Sequence, residues 1–305
     1  MAQRNFRSKS RQDQADEFEC PTPLFAAIQS NKGAQEISQK YLSRKKFELD
    51  KKNGSGNTVF HYAILNHNFD ILKILMQSSS DLNYFEKENN DGCNILLLSA
   101  MENLQEAVSI ICQHPDIPPH LINSRHPTTG QTALLWATIH GNISLFKVLI
   151  EYGASLGIKN KKGETSVLKA VECEHPALLN HILEDYPLAV DEPDKEGVTP
   201  LHKAVKENSR DCVRILLKYK ADPTIEDITE SSALTSAIEL SRKEILQDLI
   251  EYLGINEVHQ HISDGKLISK AEEILGEKIA KNKRTFLNIF CCSPEINAQM
   301  RGLLY

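Results

Sequence analysis

The sequence predicts an all-α solenoid of about seven helix–turn–helix repeats with short β-turn tips, followed by a helical C-terminal extension. Three observations carry this. The start Thr199-Pro200-Leu201-His202 recurs in weaker form at Thr22, Thr58, Asn94, Thr132, Thr165 and Ser232, at successive intervals of 36, 36, 38, 33, 34 and 33 residues. A small residue follows most starts at one fixed distance: Ala27, Ala63, Ala137, Ala170, Ala204 and Ala237. Each clear copy then runs into an apolar stretch such as Ile71-Leu72-Lys73-Ile74-Leu75. A fixed period of this size marks stacked supersecondary units.

Each kept residue has a physical task. The glycine before the start, as in Gly56-Asn57-Thr58, Gly92-Cys93-Asn94, Gly130-Gln131-Thr132, Gly163-Glu164-Thr165 and Gly197-Val198-Thr199, suits a tight turn that needs φ > 0. The threonine suits a helix N-cap, and Pro200 sits just inside, where its missing N–H costs nothing. The alanine lets neighbouring helices approach closely. The late apolar run gives the second helix one greasy face. One repeat cannot bury that face alone, so neighbours must stack. Copy three has lost the threonine (Asn94), and copy seven, Glu230-Ser231-Ser232-Ala233-Leu234-Thr235, has lost both glycine and histidine.

The set resembles the ankyrin-repeat family, whose units run near 33 residues with a T-P-L-H-type start and a β-turn plus two helices. The resemblance covers about residues 19–253 and divides the chain into three parts. Residues 1–18 form a basic tail with Arg4, Arg7, Lys9 and Arg11, expected to be disordered. Residues 19–253 form the repeat domain. Residues 254–305 form a helical extension, with a helix expected over Lys266–Lys281, that caps the open end of the last repeat.

Bulk properties narrow the function. The net charge of −6, from 35 basic and 41 acidic residues, argues against a nucleic-acid binder held by phosphate contacts. No run of about 18 apolar residues offers a membrane span, and the amino terminus lacks an apolar signal core. Seven cysteines lie scattered without C-x-x-C spacing, an odd count that argues against a disulfide framework and for a reducing compartment. The expected location is therefore cytoplasmic.

The resemblance implies a protein-binding scaffold or adaptor, expected to be monomeric, with the turn tips and first helices lining a concave face. The residue between the histidine position and the alanine is expected to point into that face: Tyr62, Leu98, Trp136, Lys169 and Lys203 in repeats two to six. One helical turn later come Leu65, Met101, Ile139, Glu172 and Lys206. Repeats two to four thus offer apolar groups and repeats five and six charged ones, an arrangement that suits anchors flanked by orienting charges. Trp136, the single tryptophan, and Tyr62 are the expected anchors. The competing reading packs these large side chains between repeats. Lys51, Lys52, Lys161, Lys162, Asp194, Lys195 and Glu196 add charge at the turn tips.

Catalysis is not expected, and no cofactor or metal is called for. His61 and His202 occupy the family's histidine position, which the resemblance assigns to structural hydrogen bonds. His259 with His261, and Cys173 with His175, lack the further ligands or the orienting group that a zinc site or a nucleophile requires. No Walker, G-x-S-x-G or H-E-x-x-H pattern occurs. Two alternatives remain: a modifier enzyme with its active residues in 254–305, or a membrane-tethered adaptor acylated at Cys291 and Cys292 behind the Lys281–Arg284 basic cluster. The irregular repeats, the Lys-, Asn- and Ile-rich composition and the unrelated tail also resemble ankyrin effectors that intracellular bacteria deliver, which would place the chain in a host cytoplasm.

Overall fold

A computed structural model describes residues 23–29, 49, 51–78, 83–115, 117–254 and 265–275. Cys291, Cys292, His259 and His261 lie outside the described residues, as does the basic amino-terminal tail.

The described residues are helical, with a single isolated β-bridge between Glu226 and Ser232. Seven first helices begin at the expected places: Pro23–Gln29, Val59–Leu65, Ile95–Met101, Ala133–Ile139, Ser166–Glu172, Pro200–Lys206 and Ala233–Glu239. The second helices described are Phe69–Ser78, Gln105–Cys112, Ile143–Glu151, Pro176–Asp185, Arg210–Lys218 and Lys243–Leu253. The uneven intervals have a local cause. Where the spacing exceeds 33 residues and the join is described, an extra turn fills it: Asn83–Glu86 before Asn94, Pro119–Ile122 before Thr132, and the 3₁₀ turn Pro187–Asp191 before Thr199.

The caps follow the sequence. Asn94 Oδ1 accepts from the N–H groups of Leu96 and Leu97, so asparagine does in repeat three what threonine does elsewhere. Thr132 and Thr165 accept from Leu135 and Leu168. Gly56 and Gly130 sit at φ 74 and 73, and glycine there serves a second purpose. A Cβ on Gly56 would lie 2.3 Å from Asn90 Oδ1, and one on Gly130 would lie 2.7 Å from the Lys161 nitrogen, each in the next turn tip.

The fold divides into two compact units, residues 1–173 and 174–305. In the first, the first helices of successive repeats pack on one another, as do the second helices of repeats two to four. Phe60 and Phe85 meet edge to face at 5.8 Å, and Phe25, Phe60, Phe85 and Phe146 are all fully buried. Each such side chain contributes about 2–3 kcal/mol of transfer free energy. In the second unit, the helices of repeats six and seven pack in the same way. Arg210 reaches Asp248 with two bonds, Nε to Oδ2 at 2.6 Å and Nη2 to Oδ1 at 2.9 Å, and Arg214 adds two more, Nε to Oδ2 at 3.1 Å and Nη2 to Oδ1 at 3.4 Å. These guanidinium groups, Arg210 first, hold the Asp248 carboxyl below its usual range. The helix of the extension runs Gly265–Leu275 and rests on both helices of repeat seven, with Ala271 buried and Lys270 Nζ donating to the Glu239 carbonyl.

Candidate functional site

The turn tips are built alike. Asn53 Oδ1 accepts from the N–H groups of Ser55 and Asn57, and Asn89 Oδ1 from those of Asp91 and Cys93. Asn160, Asp194 and Asp227 repeat the pattern in repeats five to seven. The carboxamide or carboxylate mimics a backbone turn and fixes the tip. Sequence reasoning passed over this residue, although its signal is regular: an Asn or Asp five positions before the cap in every one of these copies. Repeat four has Pro127 there, and His126 closes its tip instead, its Nδ1 accepting from Thr129 N–H.

Neighbouring tips are hydrogen-bonded into a row. In the first unit the Asn90 N–H donates to the Ser55 carbonyl at 3.0 Å, and the Lys161 N–H to the Thr129 carbonyl at 3.0 Å. In the second unit the Ile228 N–H donates to the Glu196 carbonyl at 3.0 Å.

The two expected columns of the first helices fare differently. Tyr62, Leu98, Trp136 and Lys169 are buried, with 4%, 2%, 7% and 8% of their surface exposed, and so do not project as the open anchors expected of them. First helices of successive repeats lie side by side, and Tyr62 turns toward its neighbour there. The Tyr62 ring lies 5.4 Å from Phe25 of repeat one, and Trp136 stacks on His140 of its own helix end at 6.3 Å. Lys203, in the same column of the second unit, is half-buried. Three residues on, the column has rotated by about 60° around the helix, off the neighbour-facing side. There Leu65, Met101 and Ile139 are half-buried, and Lys206 is exposed.

Lys169 is held inside an ionic cluster. Its Nζ lies 2.7 Å from Glu164 Oε2 and also bonds Glu172, while Asn160 Nδ2 donates to Glu164 Oε2 at 2.6 Å. Burial pushes the Lys169 ammonium down, but the two carboxylates outweigh it and leave it above its usual value. Lysine here is therefore an internal strut.

The histidines of repeats two and six act as the resemblance implied. His61 Nδ1 accepts from the Thr58 N–H at 3.3 Å and meets Thr58 Oγ1 at 2.8 Å, and its Nε2–H donates to the Cys93 carbonyl at 2.9 Å. His202 makes the same set with Thr199 and the Ser231 carbonyl. Cys93 and Cys112 are buried free thiols, both pushed up to about 12 by burial. Among the described residues, no three His, Cys, Asp or Glu side chains gather as metal ligands do, and no helix is long and apolar enough to cross a membrane.

Capped helix pairs at a fixed period, joined by Asx-closed tips, define a helical repeat protein. A family model for ankyrin repeats in three copies matches residues 4–86, 82–160 and 167–261, and the chain belongs to the ankyrin-repeat family. It is 24% identical over 180 residues to the nuclear factor NF-kappa-B p105 subunit of Gallus gallus, covering 59% of this chain and 18% of that protein. It is 26% identical over 213 residues to the putative ankyrin repeat protein FPV031 of fowlpox virus (strain NVSL), covering 68% and 50%. It is 32% identical over 198 residues to FPV022 of the same virus, covering 57% and 32%. The matches thus span half or less of the length of these relatives. The solved ankyrin repeat domain of Bcl-3 superposes with a TM-score of 0.66 at 19% identity, covering 75% of this chain and all of that one.

Proposed function

We propose that this chain is a non-catalytic scaffold or adaptor that holds a protein partner on the face formed by its turn tips and the accessible column of its first helices. The observation that carries the reading is the exposure retained by Leu65, Met101 and Ile139 on helices whose other large side chains are buried. Apolar groups kept partly wet at equivalent places in three successive repeats form a surface that gains by being covered. At the equivalent places in repeat six, Lys203 and Lys206 carry positive charge. Ankyrin repeats generally mediate protein–protein interaction, which supports a binding role over a catalytic one. The chain acts as a monomer in the cytoplasm, where buried reduced thiols persist. The narrower reading, a delivered effector in a host cytoplasm, rests on composition and is tested by looking for the chain inside host cells.

Affinity capture with the 305-residue chain tests the face. Wild type and a Leu65→Asp, Met101→Asp, Ile139→Asp variant are compared, with circular dichroism to verify unchanged helix content. Partners retained by wild type and lost by the variant support the face. Partners retained equally by both overturn it.

A further inference from the structure

The turn tips of the two units carry opposite charge. In the first unit Lys51, Lys52, Arg125, Lys161 and Lys162 are all exposed, against Glu88 and Asp91. In the second unit the tips carry Asp194, Glu196, Glu226, Asp227 and Glu230 against Lys195. This contrast is hidden in a net charge of −6 for the whole chain.

Three of these cations are held in place by uncharged groups. Lys52 Nζ donates to the Glu88 carbonyl at 2.7 Å, Arg125 Nη2 to the Lys159 carbonyl at 2.7 Å, and Lys161 Nζ to the Pro127 carbonyl. Each bond links one tip to the next. A carbonyl orders the side chain but leaves its full charge for a third party, whereas a carboxylate would cancel it. Bridging also settles part of the side-chain entropy before any ligand arrives, a cost that binding otherwise bears. The backbone bonds between tips, Asn90 to Ser55 and Lys161 to Thr129, keep the charges at fixed spacing along a strip.

We propose that the tip row of the first unit takes an acidic protein segment, its carboxylates lying on Lys51, Lys52, Arg125, Lys161 and Lys162 and its apolar side chains on the Leu65, Met101 and Ile139 column. This rests on the binding face proposed above and adds the chemistry of its occupant. Charge complementarity sets the sign. The apolar column favours a peptide over a nucleic acid, because a phosphate backbone gains nothing from aliphatic groups.

Selection from a random 12-residue peptide display library on the immobilised 305-residue chain tests the proposal. Selected sequences are expected to be enriched at least twofold in Asp and Glu over the library. A Lys51→Glu, Lys52→Glu, Lys161→Glu, Lys162→Glu variant is expected to bind them at least tenfold more weakly. Reversal in the second unit at exposed tip carboxylates that make no tip-closing bond, Glu196→Lys with Glu230→Lys, is expected to leave that binding unchanged or tighter. No acidic enrichment, no selected binder, or equal binding by the first-unit variant overturns the proposal. So does a single-stranded oligonucleotide that binds more tightly than any selected peptide. Non-acidic peptides lost on Leu65→Asp with Ile139→Asp would overturn the acidic occupant while sustaining the face. Peptides unaffected by every variant would overturn both.

Discussion

His61 ties repeat two to repeat three through one bond, from its Nε2–H to the carbonyl of Cys93, 32 residues further on. With Nδ1 accepting from Thr58, the ring is neutral and has no room for a second proton without losing an acceptor. Burial accordingly lowers it from 6.5 to about 4; the Cys93 carbonyl opposes the shift, and Lys52 adds a little to it.

That shift sets a pH window. A histidine depressed in the fold takes up its proton on unfolding, so its stabilisation is complete above pH 6.5 and is lost as pH falls toward 4. The full difference between these values amounts to about 3 kcal/mol. Urea midpoints of wild type and His61→Gln, measured from pH 7.5 to 4.5, are expected to converge as the solution is acidified. A constant gap across the range would contradict the neutral-ring account.

Trp136→Ala is expected to cost about 3–5 kcal/mol of stability, the penalty for emptying a large buried site. Wild-type fluorescence, from this one tryptophan, should be blue-shifted and move to the red on denaturation. A variant that melts like wild type would restore the open-anchor reading.

Trp136 also marks the limit of what was legible in the sequence. The period, the caps and the apolar stripes are local, and they placed all seven first helices. Whether residue 136 or residue 139 meets solvent depends on a rotation of about 60° about the helix axis, fixed by the neighbouring helix and not by local spacing. The same holds for Lys169. A lysine in a run of first-helix residues reads as a surface charge until Glu164, from the tip before it, and Glu172, one turn later, are seen to close on it. The Asx residues of the tips were legible and regular, but their role is to bond backbone, which composition does not reveal.

Lys169→Met should destabilise the first unit by about 3–5 kcal/mol, because it leaves the Glu164 carboxylate buried without its cation. Adding Glu164→Gln should recover most of the loss, since the amide brings no charge to compensate. Chemical denaturation of the single and double variants reads this directly. A double variant as unstable as the single one would mean that packing of the lysine stem, and not charge, sets the cost.

The turn between the two helices of a repeat stores strain. His67, Asn103, Glu174, Asn208 and Ser241 all adopt positive φ, between 53 and 58, where repeat four uses Gly141 at 65. Ser241→Gly should stabilise by about 0.5–1 kcal/mol, the left-handed penalty less the entropy that glycine loses on folding. Gly141→Ala should destabilise. Denaturation midpoints that move the other way would show that side-chain contacts outweigh backbone strain at this turn.

Thiol labelling tests the core itself. At pH 8 a thiol pushed up to about 12 is ionised to about one part in ten thousand, and the thiolate is the nucleophile. Cys93 and Cys112 should therefore resist iodoacetamide in the native protein, and Cys212, buried and shifted in the same direction, should resist it too. Half-buried Cys173 should react first among the four described cysteines. Peptide mass spectrometry after timed labelling separates them, and urea should make all four react alike. Rapid native labelling of Cys93 would mean that the His61 bond to its carbonyl opens readily, and the join between repeats two and three would then be a hinge instead of a strut.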